Sequence, residues 1–246
     1  MFGAERHEDL ADALPVPPGG TVVDLGCGTG PTLTALAARP QGAGRLVGID
    51  VAEPPLDPRL TGDPRVERVV ADLDEPLPFA DASVDAAVSH NVVECLRDPA
   101  ALLREAARVL VPGGRLLLAH TDFDTLVFAA SDVALTRRLV HHFCDTVQPW
   151  MARADGTVGR RLAGLGARSP LAVERTFAWA GHTTTLEPGG PGDDALALVA
   201  ADARRAEDLA PCVDAWLADQ RARAARGEFL FSATDYGVLL RRPANG

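Results

Sequence analysis

The chain has 246 residues, 47% of them hydrophobic and 5% aromatic, with 34 acidic residues against 24 basic ones, all of which are arginine. This length suits one α/β domain with a core of Leu, Val and Ala, and a net charge of −10 argues against a general polyanion binder, and so against nucleic acid as a partner. The absence of lysine excludes a Schiff-base lysine, a Walker-A lysine and any amine side chain as general base.

In chain order, Glu5 to Leu14 reads as a short amphipathic helix, ended by the turn cluster Pro15–Gly20. Thr21 to Leu25 is a buried-strand run, followed at once by Gly26-Cys27-Gly28-Thr29-Gly30 and a helix carrying Leu33, Leu36 and Ala37. A second strand, Arg45 to Asp50, ends in an acid. A connection rich in proline (Pro54, Pro55, Pro58, Pro64) leads to a third strand, Val66 to Ala71. Ser83 to Ser89 is the fourth strand, and Pro99 to Leu110 a helix with Asp98 as N-cap. Val111-Pro112-Gly113-Gly114 turns into the fifth strand, Arg115 to His120. Strands alternating with helices at this spacing predict a parallel sheet covered on both faces. The regularity breaks at Asp122: residues 122–168 are expected to be mostly helical. Leu171 to Leu186 then reads as a strand, 193–205 and 212–226 as helices, and Phe229 to Leu240 as the last strand.

Cys27, Cys95, Cys144 and Cys212 are scattered without a C-x-x-C pair, so a reduced, cytoplasmic setting is expected, with no metal site. No leader segment is expected before the first helix, and no apolar run approaches the roughly 18 residues that span a bilayer, so no membrane insertion is expected.

A strand, a glycine turn and a helix start make a cradle for the polar part of a nucleotide-like ligand. A dinucleotide fingerprint would place glycine where Pro31 stands; the pattern here is G-x-G-x-G, which favours a ligand without a pyrophosphate. Asp50 lies about twenty residues beyond the loop, where a carboxylate accepts from ribose hydroxyls.

The run Val22-Val23-Asp24-Leu25-Gly26-Cys27-Gly28-Thr29-Gly30 resembles the first motif of class I S-adenosylmethionine-dependent methyltransferases. The likeness continues at Gly48-Ile49-Asp50, Ala71-Asp72-Leu73, Leu77–Asp85, Asp98-Pro99 and Arg108–Gly114, covering about residues 20–121. It is nearest to the ubiquinone/menaquinone-biosynthesis-type group of small-molecule enzymes, which includes many natural-product methyltransferases. The resemblance implies a Rossmann-like, doubly wound, seven-stranded and mostly parallel sheet with an antiparallel last strand and a helical cap insertion. The chain, 1–246, is then one domain: a cofactor core (about 20–121), a cap (122–168) and C-terminal sheet and helices (169–242).

Carried over residue by residue, Asp24, Gly26, Cys27, Gly28 and Gly30 would line the methionine and ribose side of S-adenosylmethionine. Asp50 would hold the ribose, Val51 would flank the adenine, and Asp72 and Leu73 would meet its edge. His90 and Asn91 would lie near the sulfonium, and the insertion after the fifth strand would supply most of the cover. The implied reaction is methyl transfer to the nitrogen or oxygen of a small molecule, giving S-adenosylhomocysteine. The alternatives are carbon methylation of a quinone- or polyketide-like acceptor, or a silent cofactor-binding partner protein. Whether the chain is a monomer or a homodimer is left open.

If a proton must be removed, the candidate bases are His90, His120 and Asp122. His90 ends a parallel strand, the edge at which open α/β sheets bind ligands. Asp124, Trp150 and Arg160 are candidate substrate contacts, against a capping acid and a solvated Arg160-Arg161 pair. His141 and His142 are adjacent and point about 100° apart on a helix, so they do not share a metal. Leu135, Leu139, Val140 and Phe143 form an apolar helix face for packing. Trp179 is expected to pack against the sheet.

Overall fold

The computed structural model describes residues 4–40, 42–53 and 55–244; Pro54 of the proline-rich connection lies outside them. Helix α1 spans Ala4–Ala13, strand β1 Thr21–Leu25, helix α2 Pro31–Ala37, β2 Arg45–Asp50, β3 Val66–Val70 and β4 Val84–His90. They are followed by α3 (Pro99–Val109), β5 (Leu110–Phe128), α4 (Val133–Asp145), α5 (Val158–Ala167) and β6 (Ala172–Thr183). Helices α6 (Pro191–Ala203) and α7 (Ala210–Ala225) precede β7 (Phe231–Arg241).

The strands form one seven-stranded sheet in the order β3-β2-β1-β4-β5-β7-β6. β1 to β5 run parallel, and β7 is antiparallel to both of its neighbours, β5 and β6. The last strand in sequence is therefore the reversed one, inserted one place in from the edge. Sequence order changes direction at β1, which pairs β2 on one side and β4 on the other. At such a switch point the two following loops diverge and leave a crevice at the carboxyl ends of the strands.

Local chemistry fixes the element ends. Gly30 takes φ 83°, a left-handed conformation, at the N-cap of α2, and Pro31 supplies the first helical position. Asp98 accepts from the Ala100 amide to start α3, and Asp132 from the Leu135 amide to start α4.

One expectation needs correction. Residues 122–168 are not mostly helical from their start: β5 continues to Phe128 and pairs with β7 through Asp122↔Thr234 and Val127↔Ser232 across an irregularity. The cause is local alternation, with Leu126 and Phe128 buried and Val127 exposed, which is a strand period rather than a helical one. The helices of the insertion are only α4 and α5.

Apolar packing falls into three groups. One face of the sheet packs on α3 and α5 through residues such as Leu102, Leu103 and Leu162. The opposite face packs on α1 and α2 through Leu10, Leu14, Leu33 and Leu36. A third group joins the far ends of β5 and β7 to α4, α6 and α7 through Phe123, Phe143, Val199, Trp216 and Phe231. The first two leave the crevice at the strand ends as the place where backbone and polar groups face outward.

Candidate functional site

The crevice is divided by Gly26. Its φ of 80° and its closeness to Val92, with which an added Cβ would collide, demand glycine. The Gly26 and Cys27 amides both donate to the Ile49 carbonyl at 2.8 Å, tying the loop to the end of β2. Gly28 has φ 51° and no atom within 4 Å of where a Cβ would stand, so its bare backbone faces open space.

On one side of Gly26 is a cavity of about 360 Å³ lined by Asp50, Val51, Asp72, Leu73, Asn91 and Trp150, among others. Asp50 accepts from the Gly28 amide at 2.9 Å, and Asp72 from the Asp74 amide at 2.9 Å. Both carboxylates thus use backbone donors and keep oxygen capacity for a ligand. Val51 is 66% exposed, an apolar side chain left uncovered at the rim.

On the other side is a smaller compartment of about 230 Å³, formed by the glycine loop with Asp24, Cys27, Thr32, His7 and His90. Asp24 is buried, and its Oδ2 has no hydrogen-bond partner among the described residues. Burial, reinforced by the charge of Asp50, pushes its carboxyl up to about 7. Burial likewise pushes the Cys27 thiol up to about 12, so it is an uncharged wall.

His90 ends β4 with its Nε2 3.4 Å from Oδ2 of Asp235 on β7. Burial lowers its basicity, with Asp235 working in the opposite direction. Asp235 is itself fully buried. Although burial opposes its charge, His90, Thr121 and Arg6 hold its carboxyl below the usual range. Arg6 of α1 donates through Nε to Asp235 at 2.5 Å and through Nη2 to the Trp179 carbonyl at 3.0 Å, with its guanidinium over the Trp179 ring. Trp179 stacks on Phe177 against the sheet, as the sequence reading expects.

Asp24, Gly26, Cys27, Gly28, Asp50, Val51, Asp72, Leu73, His90 and Asn91 all line one compartment or the other. Gly30 does not. Its side faces Leu56 and Leu60, and its left-handed φ serves the turn into α2. Asn91, at φ 55°, is tied to the middle of β5, its Oδ1 accepting from the Thr121 amide at 2.8 Å.

Two of the three candidate bases lie away from the crevice. His120 is fully buried, with Nδ1 2.6 Å from the Thr121 carbonyl and Nε2 2.5 Å from Glu94. Burial opposes its protonation, yet the Glu94 carboxylate raises it overall, and both ring nitrogens are engaged inside the protein. Asp122 is also fully buried and is clamped by Arg160, which donates Nε at 2.7 Å, Nη2 at 2.6 Å and its backbone amide at 3.1 Å. The same guanidinium reaches Asp124 at 3.0 Å, so Arg160 and Asp124 pair with each other instead of presenting charge to a substrate. Trp150 lines the larger cavity together with Asp50 and Asp72.

Four contributors were not singled out from sequence: His7, Thr32, Asp235 and Glu94. The signals were a charge inside an otherwise buried strand (Asp235) and Arg6 on the same helix face as Leu10 and Leu14, four and eight residues on. The short N-terminal helix also covers more of the crevice than expected, because Arg6 and Asp235 draw it down.

Residues 23–118 match the family model described as a methyltransferase domain. The chain is 35% identical over 175 residues to trans-aconitate 2-methyltransferase of Azoarcus sp. (strain BH72), covering 69% of this chain and 60% of that one. It is 36% identical over 138 residues to demethylmenaquinone methyltransferase of Clavibacter sepedonicus, covering 55% and 52%. The chain thus spans about half the length of the curated relatives it matches. A crystal structure of an S-adenosylmethionine-dependent methyltransferase from Mesorhizobium loti shares the fold, with a TM-score of 0.57 at 22% identity over 98% of each chain.

Proposed function

We propose that this chain, which carries a domain of the class I S-adenosylmethionine-dependent methyltransferase family, transfers a methyl group from S-adenosylmethionine to a nitrogen or oxygen of a small molecule. One observation carries the reading. Among the described residues lining the two compartments, Asp24, Asp50, Asp72 and Asp74 are acidic and none is arginine. That lining suits a cationic ligand with an ammonium and a ribose diol, and it repels a pyrophosphate. The under-bonded buried Asp24, the open backbone at Gly28 and the apolar rim at Val51 and Leu73 fit the two ends of such a nucleoside.

The cofactor supplies an already activated methyl group, and the chain's task is binding, alignment and exclusion of water. Asp24 would hold the ammonium, Asp50 the ribose, and Asp72, Val51 and Leu73 the base, with Trp150 closing over that end. His90, uncharged and lining the smaller compartment, would take a proton from an acceptor hydroxyl, and Asp235 would stabilise the imidazolium formed. A neutral amine acceptor needs no base during transfer, since its proton leaves afterwards to water. Residues 20–121 would thus be the cofactor core, with 122–168 together with α6 and α7 on the acceptor side. The likeness to demethylmenaquinone methyltransferase supports a second reading, carbon methylation of a quinone-like acceptor.

Titration calorimetry with S-adenosylhomocysteine and with NAD tests the proposal. Binding of the first without the second is expected, and the reverse overturns it. Transfer of labelled methyl to panels of phenols, amines and demethylated quinones then separates the acceptor readings. Binding with no transfer to any panel would favour a silent partner protein.

A further inference from the structure

The proposed function leaves His7 and its partner Thr32, both in the smaller compartment, without a role. Among the described residues lining both compartments, His7 and His90 are the only side chains able to carry positive charge. His90 already faces the Asp235 carboxylate. The His7 ring meets that of His90 edge to face at 5.3 Å, and its Nδ1 shares a hydrogen bond of 2.8 Å with Thr32 Oγ1. Nε2 is therefore the ring nitrogen left for a ligand. The position of His7 is set firmly, because the neighbouring Arg6 is anchored to the buried Asp235.

The amino-acid end of the cofactor carries an ammonium and a carboxylate on adjacent atoms. Asp50 and Asp72 assign ribose and base to the larger cavity, so this end falls to the smaller one. There Asp24 suits the ammonium and repels the carboxylate, which needs a donor or a cation of its own. We propose that His7 recognises the carboxylate of the cofactor's amino-acid end through Nε2, making the N-terminal helix part of the cofactor site. This rests on the cofactor reading given above.

Proton linkage follows from the same groups. Burial, together with repulsion from His90 whenever that ring is protonated, lowers His7 to about 4, so it is neutral before binding. A carboxylate beside it raises that value, and His7 takes up a proton as the ligand binds. Among the described residues, the other charged groups acting on it are Asp235, which works in the same direction, and Arg6, which opposes. Asp24, starting from about 7, is driven the other way by the ammonium and releases a proton. The informative quantity is therefore the difference between the wild type and a His7 variant.

The experiment is titration calorimetry of the full chain at pH 6.5, using S-adenosylhomocysteine and 5′-methylthioadenosine, which lacks the amino-acid end. His7→Gln is expected to weaken S-adenosylhomocysteine about tenfold, the loss of one charge-assisted hydrogen bond, and to leave 5′-methylthioadenosine unchanged. In buffers of different ionisation enthalpy, the variant's proton balance should shift toward release. Thr32→Val should act in the same direction more weakly. Equal weakening of both ligands would show a packing effect of α1 and overturn the proposal, as would unchanged affinity for S-adenosylhomocysteine. If the wild type binds 5′-methylthioadenosine but gains nothing from the amino-acid end, only the His7 assignment falls. If it binds neither, the cofactor reading falls and takes this one with it.

Discussion

On the β1–β2 side of the crevice the carboxylates are under-bonded, whereas on the β4–β7 side each faces a cation or a histidine. Asp24 has an oxygen with no hydrogen-bond partner and no cation beside it among the described residues, and Asp50 and Asp72 accept only from backbone amides; Asp235 Oδ1 also lacks a hydrogen-bond partner, but Arg6 and His90 stand at its other oxygen. By contrast Glu94 faces His120, Asp122 holds Arg160, and Asp235 holds Arg6 beside His90. A buried polar group that its own chain satisfies is part of the scaffold; one left short is completed by something that arrives. The contrast separates acids spent inside the fold from acids left free to meet a ligand.

The sharpest way to break this contrast is to unpair a closed group. Glu94→Ala leaves His120 fully buried opposite nothing, and is expected to lower stability by about 3–5 kcal/mol in chemical denaturation. Affinity of the folded fraction for S-adenosylhomocysteine should hardly change. His120 is raised by Glu94 in the folded state, so the pair's contribution is complete below the ordinary histidine range and fades as pH rises through the folded value. The penalty should shrink accordingly at alkaline pH.

Asp24→Asn should move stability and binding in opposite directions. The folded carboxyl titrates near 7, well above its unfolded value, so stability of the ligand-free protein falls as pH rises from about 4 to about 7. Replacing the acid removes that slope and should stabilise the ligand-free protein at pH 8 by roughly 1–3 kcal/mol, seen as a higher Tm. The same change should weaken S-adenosylhomocysteine. A variant that lost stability at pH 8 would place Asp24 among the scaffold groups.

The smallest effect is expected at the ribose acid. Asp50→Ala should cost about 1–2 kcal/mol of S-adenosylhomocysteine affinity, with little change in Tm. A large fall in Tm with unchanged affinity would move Asp50 to the closed class.

Much of the open class was legible before the fold was known. Gly26, Gly28, Asp50 and Asp72 follow strands β1, β2 and β3 within a few residues, so chain connectivity alone brings them to one edge. The strand run at 21–25, the glycine turn and the acid closing β2 all stand where the sequence reading puts them. Gly30 faces Leu56 and Leu60, a placement the sequence does not reveal, because a left-handed glycine looks the same whether it faces a ligand or starts a helix. The extension of β5 was missed because Asp122 and Asp124 mask the alternation of Leu126, Val127 and Phe128 that follows.

The closed class was not legible, since its partners are far apart in the chain. Arg6 meets Asp235 across 229 positions and Arg160 meets Asp122 across 38. His120 and Asp122 were read as bases because histidine and aspartate at a strand end look available until the structure supplies their partners. By itself the sequence determined the α/β class, the order of the first five strands and which acids stand at the crevice, because each depends on short-range pattern and turn chemistry. Only the tertiary structure decided which ionisable groups are spent on one another and which remain for a ligand, because burial and charge pairing are set by neighbours that sequence distance conceals.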